Sequence, residues 1–172
     1  MKFKVFGPIT MPKKDMRAKD LRNAIDERLA GKPKALEAWK KACGCYVFAI
    51  AKKGGAAKPW YVGKTTTTFR FQCLSGDKPT MYRTLLRKQS HGTPTMYLVA
   101  QVKPTHGSFA KPNKSAIEWL ETLLIAQAYK RNPKLENIQK TDKLKNLEVI
   151  GFLGDKREGG NPAASLRKTF GV

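Results

Sequence analysis

Two short apolar segments joined by a loop of glycine and lysine constrain the fold of this chain more than any other feature. Residues 45–51 (CYVFAIA) and residues 60–63 (WYVG) each have the composition of a strand. The loop between them, residues 52–59, reads KKGGAAKP, and glycine-rich loops of this kind connect the strands of hairpins. The sequence therefore predicts a hairpin of two short strands.

The remainder of the chain mixes helical and strand-like segments. An apolar residue recurs at each turn of residues 15–29, which predicts a helix there. The longest helix is predicted over residues 116–131 and is ended by Asn132-Pro133. The other predicted elements are an edge strand over 2–8, a short helix over 36–42, helices over 66–74 and 80–88, strands over 96–103 and 147–153, and a last short helix over 163–169.

The length of 172 residues fits one domain with a modest core and terminal additions. Because 41% of the residues are hydrophobic, the chain has enough apolar surface to form a packed core. We place this core at residues 44–137. Residues 1–43 are then an N-terminal extension packed on the core, and residues 138–172 are a C-terminal extension.

The charge of the chain is strongly positive and unevenly distributed. The formal net charge is +21, from 34 Lys and Arg against 13 Asp and Glu. Residues 38–117 hold 14 of these basic side chains and a single acidic one, Asp77. Such a field favours a polyanion, because phosphates that bind cationic side chains release their condensed counterions. Nucleic acid is the expected partner, although a solubilising surface or a ribosome-like RNA binder would have a similar charge.

Several other classes of protein are disfavoured by the sequence. The three cysteines are an odd number, and the N-terminus has no apolar signal-peptide region, so we expect reduced thiols. Cys43-x-Cys45 is not a zinc spacing, and His91 and His106 lie in glycine-containing turns. No segment has the roughly 20 apolar residues of a membrane span. We expect a cytoplasmic protein with no membrane partner.

Two glutamates in the longest helix differ in their surroundings. Ser115 and Glu118 have the spacing of a capping box, so a structural role explains Glu118. Glu121 has three apolar residues among its four helical neighbours, and a carboxylate on such a face needs a cation or a donor. The pattern leaves two alternatives open for Glu121, an ion pair with a core arginine such as Arg70 or a metal or catalytic role. One carboxylate with waters and phosphate oxygens is enough to bind Mg²⁺.

The order of several motifs resembles that of the GIY-YIG nuclease superfamily. Gly44-Cys45-Tyr46 is similar to the first family motif with Cys for Ile, and Tyr61-Val62-Gly63 is similar to the second with Val for Ile. Arg70 stands at a distance similar to that of the catalytic arginine, and Glu121 is similar to the metal-binding glutamate. Asn137 lies where a late asparagine is often found. The resemblance covers residues 44–137.

The resemblance implies both a fold and an activity. The expected fold is a small α/β (α+β) domain with a central three-stranded antiparallel sheet flanked by helices. The expected activity is that of a metal-dependent endonuclease, which hydrolyses phosphodiester bonds with one divalent ion, Mg²⁺ in the first instance and Mn²⁺ as a substitute. We expect DNA in preference to RNA as the substrate.

The resemblance also assigns roles to individual residues. Tyr46 or Tyr61 would activate the attacking water as a general base. Arg70 would hold the scissile phosphate and offset charge in the transition state. Glu121 would bind the metal, and Asn137 would make a supporting contact with the nucleic acid.

Lysines complete the expected site. Lys52 and Lys53, in the hairpin loop, are candidate contacts to the nucleic acid, as is Lys64. A tyrosine has a pKa near 10, so it is a poor base at neutral pH unless nearby cations lower that value. We expect Lys64 and Arg70 to supply this field. Without the other motifs, each tyrosine would be explained as a strand aromatic with its hydroxyl at the surface.

Two departures from the family pattern are visible. Many relatives have a histidine one turn after the arginine, where this chain has Leu74. Cys45 is expected to point away from Tyr46, because neighbouring strand residues face opposite sides of the sheet, so it is not a candidate nucleophile.

The alternative to an enzyme is a non-catalytic basic protein that keeps the fold and binds DNA or RNA. Glu121 separates the two, because pure binding has no use for a carboxylate beside phosphate. A third interpretation, an interaction or structural protein whose charge is incidental, leaves the order of the motifs unexplained.

Overall fold

The computed structural model describes residues 1–13, 16–52, 56–88, 91–105, 107–137, 141, 165 and 168–169. Four strands and five helices are found in these ranges. In chain order they are β1 (Lys2–Thr10), α1 (Ala18–Leu29), α2 (Pro33–Lys41), β2 (Gly44–Ala51), β3 (Lys58–Thr65), α3 (Phe69–Gln72), α4 (Lys78–Lys88), β4 (Thr93–Val102) and α5 (Lys114–Arg131). Residues Met1–Glu136 form one compact unit and Asn137–Val172 a second.

The strands form one antiparallel sheet in the order β1-β4-β2-β3. The predicted hairpin is confirmed as β2 and β3, which pair from Gly44 opposite Thr65 to Ile50 opposite Lys58. The predicted class, a mixed α and β fold with an antiparallel sheet flanked by helices, is also confirmed. The sheet has four strands where three were expected, because β1 from the N-terminal extension pairs with β4. Its ladder is interrupted around Pro8, which has no N–H to donate.

Alternation along β2 divides the core into two layers. Tyr46 and Phe48 face the layer of α1, α2 and α3, where Trp39 and Ile25 are fully buried. Cys45 faces the opposite layer, where its thiol donates to the Ile117 carbonyl of α5. The expected opposite orientation of Cys45 and Tyr46 is therefore confirmed. The N-terminal extension supplies an edge strand and a large share of the first layer.

Two helix starts differ from the predictions for local reasons. The helix predicted over residues 66–74 is a short one, because the Thr68 side chain accepts from the Phe71 N–H and begins the helix there. The expected capping box at Ser115 is wrong. Helix α5 begins at Lys114, two residues before the predicted start, and its N-cap is Asn113, whose side chain accepts from the Ala116 N–H. The expected end at Asn132 is confirmed.

Some predictions fall outside the described residues. The strand predicted over 147–153 lies wholly outside them, and so does most of the helix predicted over 163–169. In the part of the chain that is described, all three cysteines are free thiols and buried. None of the helices described there has the length and apolar character needed to cross a membrane.

Candidate active site at the β2–β3 hairpin

The glycine of each motif lies at a position where a side chain would not fit. In the ladder, Tyr46 lies opposite Gly63, and a Cβ on Gly63 would overlap the ring of Tyr46. The absence of a side chain at Gly63 therefore makes the space in which the Tyr46 ring lies. Gly44 has a φ of 145°, and a Cβ there would overlap the Val99 carbonyl of the neighbouring strand.

The two motif tyrosines are neighbours on one face of the hairpin. Phe48 lies opposite Tyr61 in the ladder, so Tyr46 and Tyr61 are diagonal neighbours. Their ring centroids are 6.1 Å apart. Tyr46 is fully buried and Tyr61 is half-buried. The structure therefore brings the two predicted tyrosines together, with Tyr61 the more accessible of the pair.

The hydroxyl of Tyr46 is buried and has no hydrogen-bond partner within 3.5 Å among the described residues. It is nonetheless near the Tyr61 hydroxyl, because each affects the pKa of the other. Burial is the main cause that raises the pKa of Tyr46 far above its usual value, and Cys73, Tyr61 and Glu121 add to the rise. The two hydroxyls thus interact, although their geometry is not that of an ordinary hydrogen bond.

The pKa of Tyr61 is also raised, mainly by burial. The interaction with Tyr46 lowers it, but the negative field of Glu121 adds to the rise. The expectation that Lys64 and Arg70 lower the pKa of these tyrosines is therefore wrong for this structure. The physical reason is that burial of the two hydroxyls, together with the negative field of Glu121, raises the pKa of both tyrosines.

Glu121 is 8% exposed and lies on α5, which packs against β3. Its Oε2 is 3.3 Å from the Lys64 Nζ, and Oε1 of Glu118 is 3.0 Å from the same nitrogen. The sequence left open an ion pair between Glu121 and a core arginine such as Arg70. In the structure the cation beside Glu121 is Lys64, so the expected pair with Arg70 is wrong. Burial lowers the pKa of Lys64, but the hydrogen bond to Glu118 and the field of Glu121 outweigh it, so that pKa is raised.

Arg70 pairs with a residue from the N-terminal extension. Its Nε is 2.9 Å from Oδ2 of Asp26, and its Nη2 is 2.8 Å from the same oxygen. A longer contact of 3.5 Å joins Nη2 to Oδ1 of Asn23. Within the described part of the chain, these contacts hold Arg70 on the helical layer, where its side chain is 37% exposed.

The remaining predicted residues are placed as follows. Lys52 is exposed just after β2, and Lys53 lies outside the described residues. Asn137 is the first residue of the second unit, where its backbone carbonyl accepts from the Thr141 N–H. The structure therefore brings Tyr46 and Tyr61 together on one face of the hairpin, with Arg70 on helix α3 in the same layer. Lys64 and Glu121 pair on the α5 side of the sheet, and the field of Glu121 reaches both tyrosines.

Two residues that organise this region were not predicted. Asp26 lies 44 positions before its partner Arg70, and only tertiary packing joins them. Asn132 was expected only to end α5, yet it is fully buried and its side chain donates to the Pro59 carbonyl at 2.6 Å, which ties α5 to β3. A buried polar side chain at the end of a helix is a weak signal of such a tie.

The donor set beside β3 suits one hard cation. The described residues contain no cluster of three or more His, Cys, Asp or Glu side chains placed to hold a metal. Mg²⁺ requires less, since it is commonly bound through one or two carboxylates and keeps several waters. Glu121 and Glu118 meet that requirement, because both have an oxygen within 3.3 Å of the Lys64 ammonium. The ammonium shows that this place accepts a positive charge.

Comparison with known proteins gives no relative for this chain: no family model matches it, and no curated protein or solved structure matches it either.

Proposed function

We propose that this protein is a metal-dependent endonuclease of the GIY-YIG type that hydrolyses phosphodiester bonds, in DNA in preference to RNA. The observation that carries the proposal is the hairpin itself. Gly63 makes space for the ring of Tyr46, Tyr61 lies beside it, and the field of the buried carboxylate of Glu121 reaches both hydroxyls. This arrangement gives each motif residue a physical reason for its identity.

In this proposal each side chain has a task. Arg70 has hydrogen-bond donors beyond those used by Asp26, so it binds the scissile phosphate and offsets the charge that grows in the transition state. Tyr61 is half-buried and contacts the attacking water, whereas Tyr46 is fully buried and orients the Tyr61 hydroxyl. Asn137 and the lysines of the hairpin contact the nucleic acid.

Glu121, with Glu118 beside it, would hold a divalent ion, Mg²⁺ or Mn²⁺. When bound, the ion would act as a Lewis acid on the phosphate and would replace a negative field at the tyrosines by a positive one. Lys64 must then leave the two carboxylates. Its stem lies at the edge of the sheet, so the freed ammonium remains close enough to contact a phosphate.

A second candidate is a non-catalytic protein that binds nucleic acid with the same fold. One observation favours it: the ion pair with Lys64 satisfies Glu121 without any metal. The raised pKa values of both tyrosines keep them protonated at neutral pH, which also suits a site that only binds. The two candidates differ in what a metal ion does to the protein.

The test is a cleavage assay on plasmid DNA and on single-stranded DNA and RNA, with Mg²⁺, with Mn²⁺ and with EDTA. We expect metal-dependent cutting by the parent protein and no cutting by the variant Glu121→Gln, because the amide binds hard cations weakly. Affinity for DNA in EDTA should stay equal or rise, since a negative charge beside the phosphate is lost. Glu37→Gln is the matched control, because that glutamate forms an exposed pair with Lys41 on α2.

Two results would contradict parts of this proposal. Equal cutting by parent and Glu121→Gln would remove Glu121 from the metal site. Tight, salt-sensitive binding with no cutting of any substrate, with either metal, would favour the non-catalytic protein.

A further inference from the structure

The arginine of the candidate site is held by a residue outside the segment that carries the motifs. Asp26 lies on α1, in the N-terminal extension. Both Nε and Nη2 of Arg70 contact its carboxylate, at 2.9 and 2.8 Å from Oδ2, and Nε is also 3.3 Å from Oδ1. A two-donor pair of this kind fixes the plane of the guanidinium as well as its position.

The carboxylate of Asp26 is itself fixed. Its Oδ1 accepts a hydrogen bond of 2.9 Å from Nε1 of Trp39, and Trp39 is fully buried on α2. Ile25, the residue before it, is also fully buried. Asp26 is thus attached to a rigid part of the core, although its own side chain is 23% exposed.

One edge of the Arg70 guanidinium makes no contact with Asp26. Within the described ranges, Nη1 of Arg70 makes no hydrogen bond, and the Arg70 side chain is 37% exposed. Arginine has five N–H donors in a planar fork, so it can keep the pair with Asp26 on one edge and bind phosphate on another.

We propose that Asp26 is a positioning residue for Arg70, which it holds with the Nη1 edge open to the scissile phosphate. This inference rests on the proposed nuclease function. The negative charge of Asp26 weakens attraction to the substrate, so its benefit must come from orientation, which favours the transition state over simple binding.

The test compares the parent protein with Asp26→Asn, which keeps an oxygen that can accept from Trp39 but loses the charge. We expect kcat to fall by about 100-fold, the size of effect that a displacement of about 1 Å produces. The Kd for duplex DNA in EDTA should stay equal or become tighter. In an Arg70→Lys background, Asp26→Asn should have little further effect on kcat, because the two residues act as a unit. Asp20→Asn is the control, since this half-buried residue in the first turn of α1 forms a local ion pair with Arg17.

A second readout does not depend on activity. The side-chain N–H signals of Arg70 can be followed by NMR and assigned by their loss in Arg70→Lys. In the parent we expect a protected Nε–H signal that Asp26→Asn abolishes. Duplex DNA added in EDTA should shift the Nη signals and leave the Nε–H signal protected.

Each outcome has a definite meaning. Loss of the protected Nε–H signal when DNA binds would overturn the proposal, because Asp26 would then be a competitor of the phosphate. Unchanged kcat in a folded Asp26→Asn, with cutting by the parent, would overturn it as well. If the parent protein does not cut, the proposed function fails. The NMR result then decides alone whether Asp26 still pairs with Arg70 when phosphate is bound.

Discussion

Two ion pairs lie on opposite layers of the sheet and use their cations differently. Lys64, beside α5, has its ammonium against the carboxylates of Glu118 and Glu121. Arg70, beside α1, is paired among the described carboxylates with Asp26 alone. The two cationic side chains are almost equally exposed, at 36% and 37%, so burial does not distinguish them. What differs is the chemistry of the cation and the number of its anionic partners.

This difference determines which cation can bind a phosphate without rearrangement. Lysine is a compact point charge, and two carboxylates neutralise it. Arginine is an extended fork, and one carboxylate occupies only one of its edges. We therefore expect Arg70 to bind phosphate with its ion pair intact and Lys64 to act only after it leaves its carboxylates.

The largest expected effect is that of Arg70→Ala. The variant removes the cation that we propose binds the scissile phosphate, so we expect kcat to fall by about 100- to 1,000-fold, the usual effect of deleting a charge-stabilising donor. Kinetics on the preferred DNA substrate measure this. Arg17→Ala removes the exposed arginine that precedes α1 and should leave kcat within twofold. Retained activity in Arg70→Ala would rule out the phosphate role and would remove the contrast with Lys64.

Gly63→Ala tests the hairpin that lies between the two pairs. A methyl group there overlaps the ring of Tyr46, which is fully buried and cannot move into solvent. We expect the free energy of unfolding to fall by about 1–3 kcal/mol, as in other overpacked cores. Denaturant unfolding measures it. Gly31→Ala is the control, because a Cβ there meets no atom within 4 Å. Equal stability of the two variants would show that the Tyr46 ring is not confined by Gly63.

Lys64→Gln removes the cation that contacts Glu118 and Glu121 and leaves the pair of Arg70 with Asp26 unchanged. Without the ammonium, Glu118 and Glu121 lose the cation that both contact, so we expect a loss of about 1 kcal/mol in the absence of metal, a small value because the Glu118 side chain is 61% exposed and that of Lys64 is half-buried. Mg²⁺ should restore that loss and raise the Tm of the variant more than that of the parent. Thermal unfolding with and without Mg²⁺ measures both effects, with Lys41→Gln as the control pair on α2. An equal response to Mg²⁺ in all three proteins would contradict a metal site at Glu121.

The two ion pairs also show which parts of the site could be predicted from the sequence. Glu121 was predictable, because an acidic residue on the apolar face of a helix demands a cation. Its actual partner, Lys64, was predicted only as a phosphate contact, since nothing in the sequence gives the side of the sheet on which α5 packs. The pair of Arg70 with Asp26 was not predictable. It depends on the packing of the N-terminal extension against α3, and Asp26 looks like any polar residue of a surface helix.

The same limit applies to the fold. The hairpin and the long helix followed from local composition, as did the short edge strand near the N-terminus. The pairing of that strand with β4 did not, because partners so distant in sequence are chosen by the whole core. The family resemblance covers residues 44–137, yet about half of the core residues in the layer that holds Arg70 come from before residue 44.

The smallest effect is expected at the hydroxyl of Tyr46. Since this buried hydroxyl has no partner within 3.5 Å in the described structure, Tyr46→Phe should keep or raise the free energy of unfolding, by up to about 1 kcal/mol. Tyr82→Phe is the contrasting variant. The Tyr82 hydroxyl donates to the Pro12 carbonyl at 2.6 Å, so its removal should cost about 1 kcal/mol.

The same variant, Tyr46→Phe, should also change how the free energy of unfolding depends on pH. Because burial raises the pKa of Tyr46 above that of an unfolded tyrosine, the native state holds its proton at a pH where the unfolded chain has lost it. This contribution to stability is fully present below about pH 10 and is lost as the pH rises further. Tyr46→Phe should therefore lose stability less steeply than the parent between about pH 10 and 11, in denaturant unfolding at each pH. If Tyr46→Phe is stable yet cuts slowly, the hydroxyl is kept for its effect on Tyr61. If it is as destabilised as Tyr82→Phe, the hydroxyl makes a stabilising hydrogen bond, which would contradict this prediction.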